Sequence, residues 1–116
     1  MLLIRLGIAA LALAPALASA EEFGCPSAHS GGPLVSATLF DGPPSEHADL
    51  MPDHYRKSKR GGQSDWNVAY IFQAGRRLYV ECQYGSKISS IVLEAPRVDA
   101  CTYASNGKRR KSLTCK

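Results

Sequence analysis

Cys25, Cys82, Cys101 and Cys115 carry the most definite chemistry in this chain. Their wide, irregular spacing does not match the closely spaced ligand pairs of a zinc site, and no Cys-x-x-Cys redox pair occurs. In an oxidising compartment an even set of four forms two disulfides, with three connectivities open. His47, Asp49, Asp53 and His54 offer imidazole and carboxylate together, the donor types that hold divalent ions. Their spacing fits no established ligand pattern, so the stretch reads as a solvated polar loop. No metal or other cofactor is expected, and no glycine-rich phosphate loop is present.

Ser30-Gly31-Gly32-Pro33 resembles the nucleophile loop of trypsin-like proteases, but His29 stands where that family has aspartate. A serine nucleophile also needs a base held across from it by elements for which no upstream chain is available. The stretch therefore reads as a Gly-Pro turn. Arg56-Lys57-Ser58-Lys59-Arg60 and Lys108-Arg109-Arg110-Lys111 are basic runs. Nucleic-acid binding would want aromatic stacking partners beside such charge, and the export signal over residues 1–20 argues against it. The remaining readings are solvated loops or contacts to an anionic protein or polymer.

The ends of the chain set the context for these residues. Residues 1–20 read as a cleavable export signal: Arg5 supplies the positive start, Leu6 to Leu17 the apolar run, and Ala18-Ser19-Ala20 the small-residue cleavage site. The run is shorter than the roughly 20 residues a bilayer span requires, so no stable membrane anchor is expected and the product is periplasmic or secreted. Residues 21–116 then form one domain with a thin core, for which two disulfides are decisive. Charge is uneven. Glu21 to Tyr55 contains six acids and no Lys or Arg, whereas the chain from Arg56 onward holds thirteen Lys or Arg and four acids.

Hydrophobic periodicity supplies the elements. Phe23 to Pro33 is an irregular lead-in pinned by Cys25. Leu34 to Phe40 is a strand stopped by Asp41-Gly42-Pro43-Pro44. Ser45 caps a short helix over Glu46 to Met51, and Pro52 ends it. Asp53 to Gln63 reads as a mobile basic loop. Trp66, Val68, Tyr70 and Phe72 alternate as one face of a strand, and Ala74-Gly75-Arg76 turns the chain into a second strand with Leu78, Val80, Cys82 and Tyr84 inward. Lys87 to Leu93, Arg97 to Tyr103 and Lys111 to Cys115 complete the set, the last two joined by a tight turn at Asn106-Gly107. The expected fold is mostly β: a small antiparallel meander of about five or six strands, curled into a sandwich or open barrel, with one short helix and two disulfides. Strand placement sets Cys101 opposite Cys115 and leaves Cys82 within reach of Cys25. That arrangement favours Cys25–Cys82 and Cys101–Cys115.

With the strands placed, Cys25-Pro26, Phe40-Asp41-Gly42-Pro43-Pro44, Pro52-Asp53, Cys82-x-Tyr84, Cys101 and Cys115 form a pattern across the whole exported domain. It resembles a family of small exported proteobacterial proteins of uncharacterised activity. The resemblance implies a periplasmic home and brings no catalytic residue with it.

The expected function is therefore non-enzymatic binding to a macromolecular partner in the envelope, a protein in the most concrete version. In that version the chain is an inhibitor or immunity protein against a cell-wall-active enzyme or toxin. A structural envelope role is the alternative, and a small hydrolase using Ser30 or His47 comes third. The expected contacts are Phe40, Asp41 and Pro43 in the proline-rich turn, with Arg56, Lys57, Lys59, Arg60, Lys108, Arg109 and Arg110 in the basic runs. Asp41-Gly42-Pro43-Pro44 also has a purely structural reading as a stiffened turn, and Trp66 reads as core.

Overall fold

A computed structural model describes residues 22–85, 89–107 and 110–116. The export signal expected over residues 1–20 lies outside them, as do Lys87 of the third expected strand and Lys108 and Arg109 of the second basic run. The described residues form nine strands: β1 (Phe23–Gly24), β2 (Ala28–His29), β3 (Gly32–Asp41), β4 (His54–Ser58), β5 (Gly61–Asn67), β6 (Leu78–Tyr84), β7 (Ser89–Glu94), β8 (Ala100–Asn106) and β9 (Arg110–Cys115). All pair antiparallel, in one sheet ordered β1-β9-β8-β5-β4 and another ordered β2-β3-β6-β7. Of the two closures expected, the sandwich is the one found. The strand count rises above six because two short strands form in the lead-in and because β4 exists. Among the described residues no helix is long and apolar enough to cross a membrane.

Alternation in β6 works as its sequence implies. Leu78, Val80, Cys82 and Tyr84 are buried, and Tyr79, Glu81 and Gln83 turn outward. They meet Leu39 and Leu34 of β3, together with Trp66, Cys101, Leu113 and Cys115 of the other sheet. Each such aliphatic side chain contributes about 1.5–3 kcal/mol on full burial. Two disulfides hold this core. Cys101–Cys115 joins directly opposed residues of β8 and β9 within one sheet. Cys25–Cys82 runs from the residue after β1 to the middle of β6, and so ties one sheet to the other.

Three local expectations are corrected. The strand expected from Trp66 to Phe72 ends at Asn67, and α1 (Ala69–Gln73) follows. Val68 and Ile71 are three residues apart, and both are fully buried. A strand would send them to opposite faces, whereas a helical turn delivers both to the core. Ala74-Gly75-Arg76 is accordingly a helix end and not a hairpin turn. The Gly75 N–H donates to the Phe72 carbonyl and the Arg76 N–H to the Ile71 carbonyl, with Gly75 at φ 74°, the Schellman arrangement that favours glycine. The helix expected over Glu46 to Met51 is only a 3-10 turn at Pro44–Glu46. Beyond it Asp49 bridges to Phe40, and the Leu50 N–H donates to the Leu39 carbonyl. The chain is pulled alongside β3 before a second turn can form. Last, Asp53 to Gln63 is not a loop, because most of it lies in the β4–β5 hairpin.

Candidate functional site

Register across the five-stranded sheet orders the inward-facing residues into three rungs. The first is Trp66, Cys101 and Cys115, all buried. The second is Tyr55, Ser64, Tyr103 and Leu113. The third is Lys57, Gly62, Ser105 and Lys111. One face of one sheet thus passes from apolar core to a cationic, hydroxyl-rich surface within four residues of each strand. The second sheet covers the first rung and stops near the second.

A β-bulge marks where that cover ends. Between Leu34 and Ser36 the register of β3 against β6 shifts, leaving Val35 without a residue opposite. A bulged residue leaves backbone groups that still need partners. The Val35 carbonyl accepts from the Tyr103 hydroxyl at 3.2 Å and from Lys111 Nζ at 3.3 Å. Two inward residues of the second and third rungs therefore tie the edge of the core to the other sheet. Partial burial pushes the Tyr103 phenol above the usual tyrosine pKa.

Beyond that lip the sheet is bare. Tyr55, Lys57, Ser58, Lys59, Gly61, Gly62, Ser64, Tyr103 and Ser105 line an open groove of about 390 Å³. No carboxylate is among these lining residues. Gly61 and Gly62 leave the floor without side chains, and the Tyr55 ring lies over Gly62, its hydroxyl 2.7 Å from where a Cβ would stand. The groove presents ammonium groups, hydroxyls and two aromatic rings, a set that suits an anionic protein segment with some apolar surface.

Gly107 and Arg60 meet here. The Gly107 N–H of the β8–β9 turn donates to the Arg60 carbonyl of the β4–β5 turn. The two hairpin tips are therefore side by side, with Lys57, Lys59, Arg60 and Arg110 exposed around them. Lys108 and Arg109, expected in the same set, lie outside the described residues. Arg56 belongs to the opposite face. There it stands 3.6 Å from Asp65, which also accepts hydrogen bonds from Thr102 Oγ1 at 2.9 Å and Gln63 Nε2 at 3.2 Å. The Thr102 hydrogen bond, helped by Gln63 and Arg56 against the opposing effect of burial, holds the Asp65 carboxyl below its ordinary value of 3.8.

The proline-rich turn is elsewhere. Phe40 is buried, and Asp41 accepts from Arg76 Nε at 2.8 Å. The Gly42 N–H donates to the Arg77 carbonyl at φ 91°. These contacts clamp the end of β3 to the start of β6, about 20 Å along the strand from Val35. Phe40, Asp41 and Pro43 are thus not brought together with the basic tips, and the first two act in packing and clamping. The histidines and carboxylates around residue 50 also separate. Asp53 accepts from the Asn67 N–H, His54 sits across from Asp65 in β5, and His47 closes the 3-10 turn at φ 57°. Among the described residues no group of three or more His, Cys, Asp or Glu is placed to hold a metal ion. Ser30 and Gly31, both at positive φ, form the two-residue turn between β2 and β3, the conformation that favours Gly and Asn in tight hairpins.

Sequence reasoning missed the hydroxyl and aromatic half of the groove: Tyr55, Ser64, Tyr103 and Ser105. The signal available was the alternation of Tyr55 and Lys57 against His54 and Arg56, which marks a two-faced strand inside a stretch too polar to suggest one.

The model of a family described as Type VI secretion system Tli immunity protein covers residues 27–116. No curated protein and no solved structure matches the chain.

Proposed function

The chain belongs to the Tli immunity protein family of the type VI secretion system, and from that premise we propose that it neutralises a secreted toxin by binding it through the basic end of its five-stranded sheet. Family membership across nearly all the described residues carries the immunity reading. The graded face of the sheet supports the choice of surface, because it combines one exposed and one half-buried aromatic ring with several cations on a backbone fixed by hydrogen bonds. Neutralisation of this kind is stoichiometric and needs no turnover. The periplasm is the proposed place of action, since residues 1–20 read as an export signal and the fold is held by two disulfides.

The two other roles fare less well. A hydrolase would need Ser30 or His47 beside a partner group. Ser30 instead sits in a hairpin turn, and His47 ends an exposed 3-10 turn. A purely structural envelope role leaves family membership without a purpose.

The test is to take a candidate secreted toxin from the genes neighbouring the one for this chain, direct it to the periplasm of a sensitive host, and co-express either the full chain or a version lacking residues 1–20. Protection by the full chain alone, with a one-to-one complex recovered from the oxidised proteins, is the expected result. Protection by the version lacking residues 1–20 would move the site of action to the cytoplasm. Absence of both protection and complex would end the immunity reading for this toxin.

A further inference from the structure

The ends of the two sheets are not equally guarded. An edge strand offers a row of unpaired N–H and C=O groups, and proteins blunt such rows with charge or by keeping the strand short. β4 carries His54, Arg56 and Lys57. β1 and β2 are two residues each. β7 is the exception: it has six residues, Ser89-Ser90-Ile91-Val92-Leu93-Glu94, and its sole charge is the last. Among the described residues it pairs with β6 alone. Val92, half exposed, is one of four large apolar side chains open to solvent among the described residues.

The free edge has a definite pattern of donors and acceptors. The Ala95 N–H donates to the Leu78 carbonyl, so Ile91 and Leu93, which share its parity, aim their backbone groups at β6. Ser90, Val92 and Glu94 aim theirs outward. These three residues are the ones that a second antiparallel strand would bond.

We propose that β7 is the seam of a homodimer, pairing with β7 of a second copy about a two-fold axis at Val92. The sequence is complementary to itself in that register. Val92 faces Val92 of the second copy, and Ser90 faces Glu94, on the outer side. Ile91 faces Leu93 on the side turned to the core, where both are half-buried and lie against the core cluster. No like charges oppose each other. The outward groups of Ser90, Val92 and Glu94 fall into hydrogen-bonded pairs, giving six backbone bonds across the seam. Two four-stranded sheets become one of eight, and the two unguarded edges disappear. The Arg77–Glu94 ion pair at 3.1 Å steadies the outer end of β7. The basic ends are built on the other sheet, so each copy keeps its groove.

The experiment is sedimentation equilibrium on the exported, oxidised protein, without toxin, from dilute solution to the solubility limit. A mass of twice the monomer, or a reversible rise towards it, is expected. Val92→Pro removes only outward-facing N–H groups, a change an edge strand tolerates. It should keep the monomer folded, as judged by circular dichroism and both disulfides, and raise the dimer dissociation constant by roughly thirtyfold through the loss of two hydrogen bonds. Val92→Cys should cross-link to itself on a non-reducing gel, whereas Ser90→Cys alone should not, which fixes the register. A monomer at every concentration would overturn the proposal. So would a dimer unaffected by Val92→Pro. A monomeric protein whose affinity for toxin falls with Val92→Pro would also overturn it, by assigning the edge to the toxin.

Discussion

The two ends of the five-stranded sheet share a backbone and differ in almost everything else. At the Trp66 end Trp66, Cys101 and Cys115 are buried under the second sheet, and the Cys101–Cys115 disulfide lies there, with Cys25 one rung away opposite Leu113. At the Gly61 end the same strands, in the same register, carry Lys57, Gly62, Ser64 and Ser105 along an open groove. The contrast separates two jobs. Burial and covalent bonds at one end supply stability, while at the other the backbone ladder and the side-chain tie to Val35 hold the surface in shape. Side chains at the bare end are therefore free to be chosen for what they recognise, provided the lip at Val35 stays tied.

Substitutions at the two ends should therefore have different kinds of effect. The largest change in stability should come from replacing Cys25 and Cys82 together by Ala. Their bond closes a loop with a sequence separation of 57, worth about 4 kcal/mol by restriction of the unfolded chain. Cys101–Cys115, with a separation of 14, should be worth about 3 kcal/mol. Denaturant unfolding of the two double variants would reveal the order, and a reversed order would show that sheet-to-sheet stapling is not the dominant constraint. Next, Lys57→Glu with Arg110→Glu should weaken toxin binding by about thirtyfold, mostly through slower association that loses its salt dependence. The same pair should alter unfolding stability by less than about 0.5 kcal/mol. A large loss of stability with unchanged binding would break the comparison outright.

At the boundary, Tyr103→Phe should cost about 1 kcal/mol or less, since Lys111 still serves the Val35 carbonyl. The smallest effect is expected on the outer face. Asp65→Asn should cost less than about 1 kcal/mol at pH 7. The folded Asp65 carboxyl lies below its ordinary value of 3.8, so its contribution is complete above that pH and fades as pH falls through the folded value. The gap between parent and variant, measured by thermal unfolding, should therefore close in strong acid.

How much of this was readable beforehand depended on whether apolar side chains announced it. β6 was legible because four inward residues alternate without interruption, and the mostly-β, two-disulfide frame followed from strand spacing and the even cysteine set. The stretch after Trp66 misled because Trp-x-Val-x-Tyr-x-Phe fits a period of two, while the pair that reaches the core, Val68 and Ile71, is spaced by three. β4 and β5 were illegible for the opposite reason. Only Trp66 is buried in either strand, so the hydrogen-bond ladder that defines them leaves no hydrophobic trace. The candidate site shared that fate: its lysines stood out as a charge run, but the rings and hydroxyls beside them became visible only once the register was known. Nothing local in the sequence could bring Gly107 against Arg60, because that contact belongs to two hairpins lying on neighbouring strands.

One pairing bears on how the molecule comes into being. Phe23 and Gly24 form their ladder with Cys115 and Thr114, so the earliest strand is a neighbour of the latest. A polypeptide delivered amino end first, whether from a ribosome or through a translocation channel, holds this strand unpaired until its closing residues arrive. Assembly of the five-stranded sheet is thereby tied to the arrival of β9, and a copy lacking β9 would leave β1 without its partner.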